Sequence, residues 1–521
     1  MTLHPVDYVI IAVSLIIPIY ISFHFSQRQT GTGSYFKGGG SIPAWAVGMS
    51  ILATLISSIT FLAYPGSGFS SNWILLVQGL MVPITLIFFI RFVVPLYRKV
   101  IGLSAYEYFE KRFGFGARLY TSLAFFLAHF SKMGTVFYLI ALAFAKMTGV
   151  GTVEMIWILG ALIIFITLLG GIEAVIWMDV IQGFILIAGG IITLGIIIYS
   201  TTGGLPAILE VATENGRTGF GPYGIDWKSL TFFVMAINGV FYAIQKYGTD
   251  QTIVQRYLTA KSDKDAIKAS LMGVLMSVPV WALFMFIGTA LFGYYQISGA
   301  SLPDGIRSDA VFPHFIMTEL PAGVVGLVLA GLLAAAISSL DSDLNCLSAI
   351  FMEDYYLRFN PNANQKKQML ISKLIIIVAG IGSILIALYY VSQDGKGVLG
   401  LVFKLYAIFS GGIAGLFLLG IFTSRANRMG TYIGIIASIL FTAYAVITST
   451  PMPIGGEDRL LIDFGAFNFT HHKYMLGVYS HFVLFVVGYL ASLFFKKPDN
   501  IEGLTYRHWK DEKKSPNGSM K

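Results

Sequence analysis

Charge is scarce in this chain: 12% of its 521 residues are Asp, Glu, Lys or Arg, against 56% that are apolar. So few charges cannot clothe a water-soluble fold of this size, and a mean hydropathy of +0.74 makes lipid the expected solvent. Cysteine is almost absent. Cys346 stands alone inside an apolar stretch, so it forms no intramolecular disulfide and carries no redox signal. Also missing are His and Cys clusters spaced for zinc or copper, and any aromatic-basic repeat of a nucleic-acid binder, so no nucleic-acid partner is expected. The first apolar stretch has no basic region before it and no small-residue cleavage site after it. It reads as a retained helix rather than a signal peptide.

What the chain has in abundance is apolar run length. Runs of ~20 residues, the length of helix that crosses ~30 Å of hydrocarbon, recur from end to end. About thirteen are expected, over 6–24, 44–70, 73–97, 117–148, 153–171, 174–199, 229–257, 269–297, 322–356, 370–392, 397–421, 429–449 and 474–496. The fold class is therefore an all-α membrane protein in a lipid bilayer, with no soluble domain left over. Linkers are short except near 200–228, 298–321 and 450–473, which all fall on one side. Basic residues occupy alternate loops: Arg28 and Lys37; Arg98, Lys99, Lys111 and Arg112; Arg256, Lys261, Lys264 and Lys268; Arg358, Lys366 and Lys367; Arg425 and Arg428; Lys496, Lys497 and the tail. Lys and Arg in short loops resist translocation, so these loops are cytoplasmic in a multi-pass cell-membrane protein. The N-terminus is then outside and the C-terminus cytoplasmic, and the net charge of +8 is mostly this loop bias.

Polar residues at membrane depth are costly and therefore informative. The second span carries four hydroxyls in Ala53-Thr54-Leu55-Ile56-Ser57-Ser58-Ile59-Thr60-Phe61, followed by Pro65-Gly66. Such hydroxyls rescue an unwound backbone, bind a solute, or bond back to their own helix. Lys132 lies mid-span, where a cation costs at least ~2.5 kcal/mol, and needs either an anionic substrate or a fixed carboxylate partner. Asp179, near the start of the sixth span, suits a cation ligand or a helix cap. In the ninth span Ala335, Ser338, Ser339 and Ser342 fall at helical spacing on one face, with Asp341 and Asp343 among them. Hard oxygen ligands of this kind suit sodium; a small-residue packing seam explains the alanines but not the carboxylates. The seventh span mixes a flexible point, Asn238-Gly239, with Phe241, Tyr242, Gln245, Lys246 and Tyr247, a composition that suits a cavity wall or an aromatic belt.

The Ala53–Phe61 run, Pro95-Leu96-Tyr97-Arg98 leading to Ser104–Tyr108, Trp177–Gln182, Asp250-Gln251 to Gln255-Arg256, and Ala335–Asn345 together resemble the sodium:solute symporter family, over most of the chain. That family includes sodium/galactose and sodium/sialic acid symporters. The resemblance implies a leucine-transporter-type 5+5 inverted repeat with broken second and seventh spans. It divides the chain into an N-terminal extra helix and loop (1–43), a first repeat (44–199), an extracellular loop (200–228), a second repeat (229–421), and two additional helices with a basic tail (422–521). A monomer is expected.

By the same resemblance, one sodium ion would be held by Ala53, Ile56, Ala335, Ser338 and Ser339. A second, as in sialic acid symporters, maps to Asp179, Ser338, Asp341 and Ser342. Asp341 stands where that pattern has a hydroxyl, and it either tightens cation binding or admits a proton. Lys132 occupies the position of an arginine that holds the sialic acid carboxylate; it keeps the charge and loses the bidentate fork. Ser57 and Thr60 would bind the same carboxylate, with Gln78 and Phe241 beside the sugar ring. The galactose pattern transfers less well: Ala243 replaces its asparagine, and no acidic sugar ligand follows Trp73. The expected activity is sodium-coupled import of an anionic sugar by alternating access, not enzymatic catalysis. The alternatives are a neutral-sugar or monocarboxylate symporter and, in another class, a cation-binding channel or sensor. An enzyme would need a nucleophile-base pair or metal cluster at depth, which His129 alone does not supply.

Overall fold

The computed structural model of the chain describes residues 3–29, 31–392, 411–454, 457–499 and 501–514. Among these residues the fold is helical apart from one antiparallel hairpin, Met452–Ile454 with Glu457–Arg459. The longer helices, numbered in chain order, are α1 (Pro5–Ser26), α2 (Ala44–Leu55), α3 (Ser58–Ser70), α4 (Ile74–Val100), α5 (Phe115–Thr148), α6 (Thr152–Ser200), α7 (Phe232–Thr249), α8 (Gln251–Thr259), α9 (Asp263–Ser298), α10 (Val324–Ile350), α11 (Gln365–Ser392), α12 (Ile413–Phe422), α13 (Arg428–Ser449) and α14 (Lys473–Ser492). Among the described residues nine helical stretches are long and apolar enough to cross a membrane, or ten if the bent pair α2 and α3 is one span. The expected span over 397–421 lies outside the described residues up to 410, and the tail does so beyond 514.

The expected spans 153–171 and 174–199 form a single 49-residue element, α6, interrupted at Gly171. Its length corresponds to ~74 Å, more than twice the hydrocarbon thickness. Gly171 has φ 63° and ψ −179°, a conformation open to glycine and strained for other residues. The carbonyls before the break still need donors. Tyr35 supplies one to Thr167 (2.7 Å), and the Gln29 amide bonds the carbonyls of Leu169 and Gly170 (2.8 Å each).

A second interruption separates α2 from α3, which bend by 58°. Ile56 (φ −98°, ψ 108°) and Ser57 (φ −111°, ψ 174°) are extended, so the carbonyls from Ala53 to Ile56 leave the helical ladder. Both halves rest on α9 through backbone contact. A methyl group on Gly68 would lie 2.1 Å from the Met285 carbonyl oxygen, and one on Gly288 2.0 Å from that of Pro65. Gly273 meets Gly48 in the same way on the other half, at 2.7 Å. Small residues at such crossings let helices approach until dispersion and carbonyl contacts hold them.

In the seventh expected span the interruption is not at Asn238-Gly239. Both lie inside regular α7, where a methyl on Gly239 would sit 2.8 Å from the Gln78 carbonyl oxygen of α4, so this glycine serves close packing. The chain breaks at Asp250 (φ −85°, ψ 121°), whose carboxylate caps α8 by accepting from the Thr252 amide (2.9 Å).

Helix α10 runs through the centre, and nearly all of its residues are buried. Its N-terminal amides at Gly323 and Gly326 bond the buried Asp7 carboxylate of α1 at 2.7 Å each, which fixes α1 to the centre. The glycine crossing of α3 with α9 yields a stability prediction. Gly288→Ala should lower stability by about 1–3 kcal/mol, because the methyl must push two backbones apart. Gly195→Ala, at a position with no atom within 4 Å of the added carbon, should leave the thermal unfolding midpoint of the purified protein unchanged.

Candidate functional site

The helix interruption after Leu55 lies beside α10. A void of about 10 Å³ is enclosed there by Ala53 and Ile56 from the α2 end, Ala335 and Ser338 from α10, and Gln182 from α6, with Leu52, Leu186 and Val280 completing an apolar wall. Four of the five residues expected for the first sodium ion thus converge on one small space. The fifth, Ser339, is fully buried, and its hydroxyl has no hydrogen-bond partner among the described residues. The space has the scale of a single water-sized sphere. Carbonyl and hydroxyl oxygens are the ligands a hard monovalent cation takes.

Beside this void the residues expected for the second ion are joined by one that the loop-charge reading misplaced. Arg256 is not in a cytoplasmic loop; it is fully buried and pairs with Asp179, also fully buried, at 2.9 Å. Its other donors bond Ser50 (2.7 Å), Ser342 (2.9 Å) and the Thr252 carbonyl (2.5 Å). Asp179 also accepts from Ser50 and from Ser338, both at 2.5 Å. Asp179 therefore does not cap a helix; it sits well inside the second half of α6. Asp341 lies next to this cluster without joining it. Among the described residues neither of its oxygens meets a donor in hydrogen-bonding geometry, and the Thr167 hydroxyl beside it donates to the Ile163 carbonyl (2.9 Å).

A larger cavity of about 290 Å³ opens on the other side of the interruption. Thr54, Leu55 and Ser57 line it from the α2 end, Ala128, His129 and Lys132 from α5, and Tyr242, Gln245, Lys246 and Asp250 from the α7 break. A smaller void of about 40 Å³ shares His129, Gln245 and Asp250 and leads toward Tyr106 and Thr121. Of the residues expected to bind substrate, Ser57 and Lys132 line the cavity. Thr60, Gln78 and Phe241 do not. Phe241 stacks on His481 of α14 with ring centroids 5.3 Å apart, so its ring is engaged by an additional helix rather than by the cavity.

The charges around this cavity are internally matched. Lys132 Nζ lies 3.1 Å and 3.2 Å from the two oxygens of the buried Asp343. His129 Nδ1 meets the same carboxylate at 2.8 Å, and its Nε2 lies 3.5 Å from Asp250. Asp250 in turn binds Lys246 at 2.6 Å. Two ammonium groups thus face two carboxylates, with an imidazole between them. Of the two partners considered for Lys132, a fixed carboxylate is present, and the cation still reaches the cavity wall. Asp250 was visible only as part of a motif, and His129 only as an isolated base. Its position three residues before Lys132, one turn away on the same face, was the available signal.

The sodium:solute symporter family model matches residues 35–438. The sodium/sialic acid symporter SiaT of Proteus mirabilis is 35% identical over 467 residues, which cover 87% of this chain and 94% of that protein. The sodium/sialic acid symporter NanT of Aliivibrio fischeri is 30% identical over 498 residues, covering 95% and 94%. The solved structure of a Na+-coupled sialic acid symporter, substrate-bound and outward-open, matches with a TM-score of 0.86 and 32% identity, over 95% of this chain and 99% of that one.

The pairing of Lys132 is open to a double-mutant test. Lys132→Ala leaves the Asp343 charge buried without its ammonium partner and should cost about 2 kcal/mol or more. Adding Asp343→Asn should recover most of that loss. Thermal unfolding of the purified single and double variants measures the coupling, and additive losses would show that the two groups do not interact.

Proposed function

The chain belongs to the sodium:solute symporter family, and on that premise we propose that it imports an anionic sugar, sialic acid or a close analogue, with sodium by alternating access. The observation that carries this reading is the convergence of Ala53, Ile56, Ala335 and Ser338, from segments far apart in the chain, on one cation-sized void at a helix interruption. The first sodium ion binds there, bridging the broken span to α10, and so couples their relative position to ion occupancy. Two relatives named for sialic acid and Lys132 on the cavity wall support the choice of substrate.

On this reading Lys132 and Ser57 receive the substrate carboxylate, and Thr60, Gln78 and Phe241 close on the sugar from the far side as the repeats move. The second sodium ion draws its charge from Asp341, because Arg256 already compensates Asp179. Two sodium ions with one monoanion move a net positive charge, worth ~2.3 kcal/mol per 100 mV of membrane potential. The architecture is a monomer of about thirteen spans in a 5+5 inverted repeat, with the N-terminus outside and the C-terminus in the cytoplasm. A neutral-sugar or monocarboxylate symporter is a second reading. Its neutral-sugar form is favoured by one feature, the charge balance of the cavity, since Lys132 has its own carboxylate.

Reconstituted full-length protein should accumulate labelled N-acetylneuraminate above the outside concentration when an inward sodium gradient is imposed. Lys132→Ala should raise the half-saturating substrate concentration about tenfold or more, the loss expected for a charged hydrogen bond. Equal uptake of a neutral hexose with a silent Lys132→Ala would move the assignment to the second reading. Sodium-independent equilibration without accumulation would indicate a channel.

A further inference from the structure

Gln182 is a side chain that neither the resemblance nor the comparisons give a role. It lies on α6, three residues beyond Asp179, and is 4% exposed. Neither its amide oxygen nor its amide nitrogen has a hydrogen-bond partner among the described residues. An unsatisfied buried amide is expensive, and a polar side chain kept in that state in an apolar wall needs a partner. Gln182 borders two voids. One is the space enclosed by Ala53, Ile56, Ala335 and Ser338. The other, also about 10 Å³, lies between α6 and α1 and is lined by Ser14 and Pro18.

The two voids differ in the chemistry they offer to an amide. In the first, the Ser338 hydroxyl and the backbone of Ala53, Ile56 and Ala335 border an otherwise apolar wall, and a cation held by such oxygens accepts a further one. The second offers an acceptor. Pro18 lies within α1 and lacks an amide hydrogen, so the Ser14 carbonyl one turn earlier has no helical donor. An amide satisfies both demands at once, with Oε1 toward the cation and Nε2 toward the freed carbonyl, directly or through one water molecule. A carboxylate in the same place would satisfy only the first, because it has no donor.

Resting on the sodium-symport reading, we propose that Gln182 is a ligand of the sodium ion held between α2 and α10, and that its amide nitrogen ties that ion to the N-terminal helix α1. The ion is then bounded by three elements rather than two, and α1 becomes part of the coupling machinery. A cation at this position neutralises the oxygen's desolvation cost, which accounts for a polar side chain in a wall otherwise made of Leu52, Leu186 and Val280.

The test uses full-length protein, with sodium chloride titrated against choline chloride. Sodium-induced thermal stabilisation is read without organic substrate, and sodium-dependent N-acetylneuraminate uptake is read in proteoliposomes. Gln182→Met, which keeps the volume and removes both polar atoms, should raise the half-saturating sodium concentration about tenfold or more. The half-saturating substrate concentration at saturating sodium should stay within about twofold of wild type, a change below ~0.4 kcal/mol. Gln182→Glu places a formal charge at the same ligand position and should lower the half-saturating sodium concentration. If Gln182→Met does not fold, Gln182→Glu decides alone: an unchanged or raised sodium requirement overturns the proposal. A wild-type sodium response in Gln182→Met overturns it as well. Ser339→Ala separates the two levels of the argument. If it weakens the sodium response while Gln182→Met does not, the symport reading stands and the role of Gln182 falls. If wild type itself shows no sodium response, both fall.

Discussion

Arg256 and Asp179 are both fully removed from solvent, and each depends on the other for its charge to be tolerable there. Around them Ser50 of α2, Ser338 and Ser342 of α10, and the Thr252 carbonyl of α8 complete the hydrogen bonds, so four helices meet at one ion pair. Desolvating two such ions costs several kcal/mol each, and attraction alone does not reliably repay it. What makes the arrangement stable is saturation: the guanidinium gives four hydrogen bonds and the carboxylate receives three. Geometry this demanding ties the helix carrying Asp179 to the helix carrying Ser338. Those are also the elements that enclose the smaller void.

The same constraint explains why the α2 interruption is held rather than frayed. Ser50 lies just under one turn before the first freed carbonyl and is anchored at both its oxygen's donor and acceptor roles. On the other half, α3 is held by backbone contact at Gly68 and Gly288. The extended residues Ile56 and Ser57 are thus clamped from both directions. Carbonyls that would be a liability in lipid belong to buried residues that border the voids. The charge network of Lys132, Asp343, His129, Asp250 and Lys246 plays the corresponding part beside the larger cavity, keeping ammonium groups at depth by giving each a carboxylate.

Much of the site was legible locally. The spacing of Ala335, Ser338, Ser339 and Ser342 placed them on one face before any coordinates were known, because helical periodicity is a property of neighbouring residues. The hydroxyls of the Ala53–Thr60 run marked the interruption for a similar reason. Tyr242, Gln245 and Lys246 carried a composition suited to a cavity wall, and they line one. Asn238-Gly239 misled, since a glycine that lets two backbones touch looks in sequence like a glycine that breaks a helix.

The sequence by itself determined that this is a polytopic, all-helical membrane protein and roughly where most of its described helices run, because lipid obliges each span to satisfy its own backbone and each span is a local pattern. It also determined which oxygens were available to a cation. Only the tertiary structure decided which charges meet. Arg256 reads as one more basic loop residue until α8 packs between α2 and α10 and brings it to Asp179, and the choice between substrate and fixed partner for Lys132 stays open until Asp343 is found 3.1 Å away. Coulombic pairing depends on the distance between segments separated by scores or hundreds of residues. That distance is set by how helices pack, and no local pattern records it.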